Sequence, residues 1–402
     1  MDFEILIIGS DVNAYYMARC AHECYNKKAY MLIKDKLAYT TYSKIINHIY
    51  NNKIWDEQHF ISAVNNFLQQ HSEKKVVVIS SNETYAQYLV RNKEKFYGNI
   101  LFNYPDIKIF ESLINIELFY KTYENSILSF PKTLYVKPDS FNIEKVKFMY
   151  PLIVKPANVV LFNHINFPGK KKIYKVSNKD ELLNIISNIK QSKYNDTLII
   201  QEYIPGDDSY LFDSVVYSNK RGEVELVSFA QIGLQEHNPN MVGNAAVVIN
   251  GFNSFKVDTT SIVDDIKKFM NSISYQGFAE FDMKYDERDG KFKVLEINAR
   301  QGRCSYYITP LGYNLVKILV DDLVYNKKMK FTYVNKKQML TFVNKSIIKK
   351  YILNLDFKKE ALRLYKKSIN PLKYSKDFSL YRFLLYIKRD NNYKKSYKNY
   401  KW

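Results

Sequence analysis

The chain has 402 residues, 46% of them hydrophobic and 25% charged, a composition typical of a globular protein with roughly two or three domains. Its formal net charge is +19, and most of the excess lies in residues 331–402, where 19 Lys and Arg stand against four Asp and Glu. The absence of a long apolar run excludes a membrane-spanning helix. Three cysteines are too few for a disulfide framework and predict a cytoplasmic protein. The acidic, strand-like start predicts that there is no secretion signal.

The first 112 residues alternate short apolar strands with helical segments. Strands are predicted at Phe3–Ile8, Ala29–Ile33 and Lys75–Ile79, with a helix over about residues 13–26. Such alternation is typical of a doubly wound parallel sheet, so the predicted fold class is α/β. Gly9 follows the first strand, but no GxGxxG motif surrounds it, and a dinucleotide site is therefore not predicted.

The next segment contains a lysine in an unusual position. An amphipathic helix is predicted over residues 111–123, and residues 150–157, YPLIVKPA, form an apolar strand that ends with Lys155 before Pro156. An ammonium group at the end of a buried strand is costly unless it meets an anion or reaches water at the sheet edge. Lys155 is thus a candidate anion-binding residue, with an ordinary edge lysine as the alternative.

Residues 158–172 form a loop that has one glycine and ends in the three lysines 170–172. This loop is predicted either to close over an anion by charge or to be a solvated surface loop. The remaining predicted elements before the last hairpin are a helix at 180–189, a strand from 198 followed by a Pro-Gly-Asp turn, paired strands at 213–217 and 224–232, and a helix at 262–274.

The most informative stretch is residues 277–303, which reads as two strands joined by a polar turn that ends in Gly290. Asp282 lies in the first strand, and Glu296 and Asn298 lie two residues apart in the second, so these two share one face. Three oxygen-bearing side chains are costly to bury together unless a cation neutralises them, and oxygen ligands suit Mg²⁺. A magnesium site is predicted here, with a solvated hairpin as the alternative.

Asp282 and the run from Glu296 to Arg300 resemble the metal-binding end of the ATP-grasp carboxylate–amine ligases. Within that superfamily, the run NARQGRCSYY from Asn298 to Tyr307 is most similar to bacterial D-aspartate ligases. The resemblance extends over roughly residues 1–330. It implies a Rossmann-like domain at 1–112 that contributes to substrate binding and homodimer contacts, followed by an ATP-grasp domain at 113–330, α+β in its nucleotide-binding half, with a hinge near 202–205.

The resemblance also implies roles for individual residues. ATP and a pair of Mg²⁺ ions are the expected cofactors, and Ile116 stands where relatives have an early ATP-binding lysine. The implied ATP-binding residues are Lys155, Lys172, Gln201, Glu202, Tyr203, Ile204 and Asp208, with Glu202 at the adenine amine and Asp207 or Asp208 at the ribose. The implied metal ligands are Asp282, Glu296 and Asn298. Arg300 and Arg303 would orient the carboxylate substrate and its acylphosphate as catalytic residues.

The implied reaction is the ATP-dependent joining of a carboxylate to an amine through an acylphosphate. D-aspartate would supply the carboxylate, and a lysine side chain of a peptidoglycan precursor would supply the amine. Two alternatives remain open at this point. One is an ATP-grasp ligase with a different amino acid and a different acceptor, such as a surface polymer. The other is a protein without catalytic activity that binds an anionic surface or nucleic acid.

Residues 331–402 form a basic extension with nine tyrosines. The segment 378–388 is apolar apart from Arg382 and Lys388, and basic flanks with an aromatic face are typical of helices that lie on anionic membranes. A peripheral position at the inner face of the membrane is the favoured hypothesis. Binding of single-stranded nucleic acid by charge and stacking is the less favoured alternative, and packing of the extension on the body is another.

Overall fold

The computed structural model describes residues 2–158, 161–162, 165–238, 241 and 243–400. Contacts between residues divide the chain into two compact units. The first unit contains residues up to 110, residues 207–282 and residues from 298 onward, and the second contains residues 111–206 and 283–297. The C-terminal extension therefore belongs to the same compact unit as the N-terminal residues.

The N-terminal part of the first unit is a parallel sheet with the strand order β3-β2-β1-β4-β5. Its elements are β1 Phe3–Ile8, α1 Val12–Tyr25, β2 Ala29–Ile33, β3 Ile46–Tyr50, α2 Glu57–Gln70, β4 Lys75–Ser80, α3 Glu83–Arg91 and β5 Ile100–Leu101, followed by α4 Ile107–Ile114. Helix α1 begins where the Asp11 carboxylate accepts the N–H of Ala14. The predicted doubly wound α/β fold is confirmed. Strand β3 was not predicted because Asn47 and His48 interrupt its apolar pattern.

The second unit is built around an antiparallel sheet with the order β6-β9-β7-β8. Its elements are α5 Ile116–Tyr123, β6 Thr133–Val136, β7 Leu152–Pro156, β8 Tyr174–Val176, α6 Lys179–Gln191 and β9 Leu198–Glu202. Val154 and Ile200 of the sheet share a core with Leu182 and Ile186 of α6. Because α6 buries this apolar face, β7 holds Lys155 in a fixed position near its end.

The single helix predicted over residues 111–123 is wrong. Helix α4 ends at Ile114 and α5 begins at Ile116, because the side chain of Asn115 accepts the N–H of Leu118 at 3.0 Å and so caps a new helix. An asparagine side chain can accept a hydrogen bond from a nearby backbone N–H in place of a helical carbonyl. It therefore favours a helix start over a helix interior, so one helix ends before Asn115 and the next begins after it.

The remaining strands of the chain form a larger sheet with the order β15-β14-β10-β12-β13-β17. The elements are β10 Leu211–Ser218, β11 Val224–Ser228, β12 Ala230–Gln235, β13 Ala245–Asn250, α7 Thr260–Ser272, β14 Gly277–Asp286, β15 Lys291–Asn298, α8 Leu315–Leu323, β16 Thr332–Val334 and β17 Gln338–Thr341. The strand predicted at 224–232 is two strands, since the chain breaks at Phe229 and β10 pairs with both β11 and β12.

The C-terminal extension packs on the first unit and contributes to its sheet. Strand β16 pairs in parallel with β11, and β17 pairs antiparallel with β13. The helices that follow are α9 Lys345–Tyr351, α10 Leu355–Leu364 and α11 Leu380–Asn399. The ring of Phe357 on α10 fills the space that a side chain at Gly233 would need, within 1.9 Å of its Cβ position. In the described part of the chain, we find no helix whose length and apolarity would let it cross a bilayer.

Helix α11 is fixed to the N-terminal part of the unit through a buried ion pair inside the extension, whose two members both contact N-terminal residues. Arg382 and Asp377 are 3.3 Å apart, with side chains that are 1% and 0% exposed. Asp377 also accepts hydrogen bonds from the Tyr15 hydroxyl and the Lys44 N–H, at 2.7 and 2.6 Å. Arg382 donates to the carbonyl oxygen of Tyr39. The basic extension is therefore attached to the body through a partnered buried charge.

Candidate functional site

The open end of the β14–β15 hairpin holds a continuous chain of polar contacts. The Asn298 amide donates to the Asp282 carboxylate at 3.1 Å, and its oxygen accepts a hydrogen bond from Arg300, also at 3.1 Å. Arg300 then reaches Glu280 at 3.4 Å and Glu83 at 3.5 Å. Of the residues predicted here, the structure brings Asp282, Asn298 and Arg300 together.

Glu280 is a member of this group that sequence reasoning missed. It lies two residues before Asp282 on β14, so the two carboxylates leave the same face of that strand. Gly302 leaves room for it, because a Cβ at that position would lie 1.6 Å from the Glu280 carboxyl carbon. The signal was present in the sequence as the alternation in Phe-Ala-Glu-Phe-Asp, where both acids occupy alternate positions of one strand.

Behind Glu280 lies a second buried acid, Asp213 on β10. Burial raises the pKa of Asp213 well above its ordinary value, and the neighbouring Glu280 carboxylate raises it further. The Tyr307 hydroxyl donates to Asp213 at 2.7 Å and lies 2.8 Å from the Ser228 hydroxyl. Asp213 therefore lies beside Glu280, which in turn contacts Arg300.

Arg303 has a different environment from Arg300. Its guanidinium pairs with Glu236 at 2.5 Å and lies 4.5 Å from the centre of the Phe342 ring. The Tyr393 hydroxyl of α11 donates to the same Glu236 oxygen at 2.7 Å. Burial raises the pKa of Glu236, and Arg303 counteracts part of this rise. The structure thus places Arg303 in a buried network with the C-terminal helix.

In the second unit, Lys155 lies at the end of β7 as the sequence indicated. Its ammonium is 5.5 Å from the centre of the Tyr120 ring. Burial lowers the pKa of Lys155 to about 8; the Glu296 carboxylate opposes this change, and the Lys172 ammonium adds to it. Lys155, Lys172 and Glu296 are therefore electrostatic neighbours. Lys172 itself is exposed, in a loop whose residues 159–160 and 163–164 lie outside the described part of the chain.

The predicted adenine segment begins with the last residues of β9 in the same unit. Gln201 donates to the Thr133 hydroxyl at 2.9 Å. Glu202 accepts the N–H of Lys132 at 2.9 Å and pairs with Arg288 at 3.3 Å. Both Glu202 oxygens thus have partners inside this unit, and its predicted contact with the adenine amine stays a prediction.

Two further lysines surround this segment. The Lys175 and Lys284 ammonium groups lie 4.1 and 5.2 Å from the centre of the Tyr203 ring, and Ile204 beside it is buried. Lys284 also donates to the carbonyl oxygen of Gly206 at 3.0 Å. Neither lysine was predicted, since each lies in an unremarkable position of its strand and only folding brings it to Tyr203. The second unit therefore gathers positive charge at the segment predicted to bind a nucleotide.

Asp208, the predicted ribose acid, belongs to the first unit. Its carboxylate accepts hydrogen bonds from the backbone and side-chain amides of Gln235 at 2.8 and 2.7 Å. The preceding Asp207 accepts the N–H of Ser209 and begins a short 3₁₀ helix. In this structure Asp208 fixes the loop to β12, and its predicted ribose contact stays a prediction.

The donor set on the hairpin fits a hard divalent cation. Asp282, Glu296 and Asn298 offer only oxygen ligands, the kind that Mg²⁺ prefers. Glu296 and Asn298 are two residues apart on β15 and leave the same face of it. Throughout the described residues there is no group of three His, Cys, Asp or Glu side chains that would form a metal site by themselves. A metal bound at the predicted residues would therefore depend on the amide oxygen of Asn298 as well as on the carboxylates.

No family model matches the chain. A D-aspartate ligase of Enterococcus faecium (strain Aus0004) is 32% identical over 99% of this chain and 97% of that protein.

Two solved structures are similar in fold at lower identity. An L-amino acid ligase from Bacillus licheniformis matches with a TM-score of 0.57 at 16% identity, covering 80% of this chain and 74% of that one. The biotin carboxylase domain of the Hydrogenobacter thermophilus 2-oxoglutarate carboxylase, solved with MgADP, ADP and bicarbonate, matches with a TM-score of 0.60 at 15% identity, covering 84% of this chain and 73% of that one. The chain therefore belongs to the ATP-grasp family of ATP-dependent carboxylate–amine ligases, which includes D-aspartate ligase.

Proposed function

We propose that this ligase joins D-aspartate to the side-chain amine of a lysine in a peptidoglycan precursor. The observation that carries the proposal is the 32% identity to a D-aspartate ligase over 99% of the chain. An alignment over 99% of the chain covers the C-terminal extension as well as the ATP-grasp part. The similarity is therefore not confined to the nucleotide-binding residues.

The reaction has two steps that balance without a redox partner. A carboxylate oxygen of D-aspartate attacks the γ-phosphorus of ATP, the bond to the bridging oxygen breaks, and ADP leaves. The lysine nitrogen then attacks the acyl carbon of the acylphosphate, the amide bond forms, and phosphate departs. The amine proton is released to solvent or phosphate, so an amine that arrives deprotonated needs no strong general base.

Residues of this chain supply charge and position for both steps. Asp282, Glu296 and Asn298 would hold Mg²⁺, which when bound offsets the negative charge of the phosphate oxygens. Lys155 would neutralise the phosphates from the second unit. Arg300 would orient the carboxylate and the acylphosphate, and its contact with Glu280 fixes its position. Catalysis of this kind depends on positioning and electrostatics more than on proton transfer.

Arg303 and the nucleotide-contacting residues complete the proposal. Arg303 is proposed to assist Arg300 in binding the acylphosphate. Lys172, Gln201, Tyr203 and Ile204 are proposed to contact ATP along with Glu202 and Asp208. The cations near Tyr203 support this assignment, because an ATP molecule beside them would meet compensating charge.

The experiment that tests the function is a screen of amino acids. Phosphate release from Mg-ATP is measured with D- and L-amino acids, with and without a lysine-containing peptide as acceptor. We expect D-aspartate to give the highest rate and the acceptor to yield an amide detectable by mass spectrometry. A higher rate with another amino acid would replace D-aspartate as the substrate. No amino-acid-dependent turnover, together with no Mg-ATP binding by calorimetry, would overturn the enzyme assignment for this chain.

The lowered pKa of Lys155 predicts how ATP affinity depends on pH. Only the ammonium form neutralises phosphate, and the free enzyme loses that proton above about pH 8. The dissociation constant of a non-hydrolysable ATP analogue should therefore rise with pH above about 8, approaching about tenfold per pH unit. Calorimetry between about pH 7 and about pH 9.5 measures this directly.

The control for this prediction is a charge-retaining variant. Lys155→Arg keeps its charge over the whole range, because the pKa of arginine exceeds about 12, so its affinity should be flat with pH. Lys155→Gln should bind weakly at every pH. A Lys155→Arg variant that shows the same pH dependence as the unchanged protein would assign the titration to another group.

We also propose that the enzyme is a peripheral protein at the inner face of the membrane, where lipid-linked wall precursors are found. A homodimer is the proposed assembly, which light scattering would measure. The basic extension supports the membrane proposal, because residues 331–402 carry most of the excess positive charge. Anionic phospholipids attract such segments by roughly 1 kcal/mol per adjacent Lys or Arg.

A further inference from the structure

The solvent side of helix α11 begins with a strip of large apolar side chains. Leu380, Phe383, Leu384 and Ile387, the apolar stripe, are 66%, 46%, 53% and 45% exposed. Their spacing of three and four residues places them on one face of the helix. Next to them, the exposed ring of Tyr381 stacks on Tyr42 at a centroid distance of 5.0 Å. So many exposed apolar side chains at helical spacing mark an interaction surface rather than scattered exposure.

The same outward face continues as a row of lysines. Lys388, Lys394, Lys395 and Lys398, the basic end, are all exposed. The one acid of the helix, Asp390, lies instead beside a cavity of about 310 Å³ lined by Arg19 and Asn370. The outward face of α11 therefore presents apolar side chains followed by positive charge and no carboxylate.

The inward face of the helix is already occupied. Arg382 is buried against Asp377, the Tyr393 hydroxyl donates to Glu236, and the Tyr397 hydroxyl donates to the carbonyl oxygen of Gln235 at 2.5 Å. These contacts fix the rotation of the helix about its axis. The apolar stripe consequently cannot turn inward without breaking a buried ion pair and two buried hydroxyl contacts.

We infer that the outward face of α11 is a docking surface for an anionic phospholipid bilayer, with the apolar stripe entering the acyl boundary and the basic end lying among the headgroups. The charge decides between partners. A second copy of the same face would bring the two basic ends together or set lysines against apolar side chains. A nucleic acid would need a series of exposed rings along the basic end. Among the described residues there, Tyr393 and Tyr397 point into the protein and Tyr400 alone is an exposed ring. An anionic bilayer complements both halves of the face.

This inference deepens the proposed peripheral position and rests on the proposed function only for the choice of membrane. The test is flotation of the full chain with vesicles of phosphatidylcholine, with and without phosphatidylglycerol. We expect the protein to float with the anionic vesicles only. The combined change Leu380→Ser, Leu384→Ser and Ile387→Ser should lower the partition coefficient at least about tenfold. The combined change Lys388→Gln, Lys394→Gln and Lys395→Gln should lower it by about fivefold for each lysine that adjoins the surface.

The matched control changes exposed apolar side chains elsewhere. Met149 and Leu183, 85% and 40% exposed, lie in the second unit, and Met149→Ser with Leu183→Ser should float like the unchanged protein. Absence of flotation with anionic vesicles, or equal flotation of the apolar-stripe variant, would overturn the inference. So would a dimer in lipid-free solution that the apolar-stripe variant abolishes, or single-stranded DNA binding that the basic-end variant abolishes.

Measuring phosphate release distinguishes a failure of the docking surface from a failure of the proposed reaction. None of the changed residues belongs to the proposed catalytic or nucleotide-binding groups, so each variant should keep its phosphate release with a soluble acceptor. A variant that no longer floats but keeps its turnover therefore supports the proposed membrane-docking surface. If the unchanged protein shows no turnover, that result counts against the proposed reaction and not against the docking surface.

Discussion

Replacing Glu296 by Gln should reduce amino-acid-dependent ATP turnover by about 10³-fold or more while the fold is retained. A divalent ion at phosphate oxygens supplies several kcal/mol of charge stabilisation, and about 4 kcal/mol corresponds to a factor of about 10³ in rate. The amide of Gln is nearly isosteric with the carboxylate but removes the negative charge that would hold the ion. Phosphate release under saturating ATP and amino acid measures the effect, and circular dichroism checks the fold.

Glu144→Gln is the matched control, because Glu144 belongs to the same unit and its side chain is 75% exposed. That variant should keep full activity, which shows that the chemical change alone is harmless. Asp282→Asn should resemble Glu296→Gln, since it removes another charged ligand from the same proposed set. A Glu296→Gln variant with the activity of the unchanged protein would refute the metal assignment.

Replacing Arg382 by Met should destabilise the first unit by about 3 kcal/mol or more. The change removes the cation from a buried ion pair and leaves the Asp377 carboxylate uncompensated, and such losses typically cost about 3–5 kcal/mol. The Asp377 carboxylate keeps its hydrogen bonds from Tyr15 and Lys44, so the expected loss of stability lies at the lower end of that range. Urea unfolding followed by circular dichroism measures the change in free energy of unfolding.

The control for this variant is an ion pair on the surface of the same extension. Arg363 pairs with Glu360, but its side chain is 62% exposed, and exposed pairs contribute about 0–1 kcal/mol. Arg363→Met should therefore unfold close to the unchanged protein. Equal unfolding of the Arg382 and Arg363 variants would mean that the buried pair of Arg382 and Asp377 does not stabilise the unit.

The sequence was sufficient for features that depend on short-range patterns. The apolar runs of β1 and β4, the hairpin of residues 277–298 and the position of Lys155 at a strand end follow from period and composition, and the structure contains each of them. The resemblance through Asp282 and Glu296 to Arg300 was sufficient for the family. The cap at Asn115 was also readable, since asparagine before a charged first turn is a helix-start signal.

Other features depend on contacts between distant residues. The sequence marks Arg303 as a basic residue near the hairpin, but its pairing with Glu236 and Tyr393 joins positions up to 157 residues apart. The raised pKa of Asp213 likewise depends on its burial in the folded unit and on Glu280 from another strand. Local pattern indicates which residues are polar or apolar, whereas the identity of a buried partner is set by the packing of separate strands.

The C-terminal extension shows the same division most clearly. Its sequence determined the excess of lysine and tyrosine and the presence of a helix, because composition and apolar spacing are local properties. Only the tertiary structure decided that Arg382, Tyr393 and Tyr397 face inward while Leu380, Leu384 and Lys388 face solvent. Several faces of this helix mix rings, apolar side chains and cations. Its rotation was therefore fixed by the buried partners within its reach: the Asp377 carboxylate just before the helix, and the Glu236 carboxylate and Gln235 carbonyl of the body.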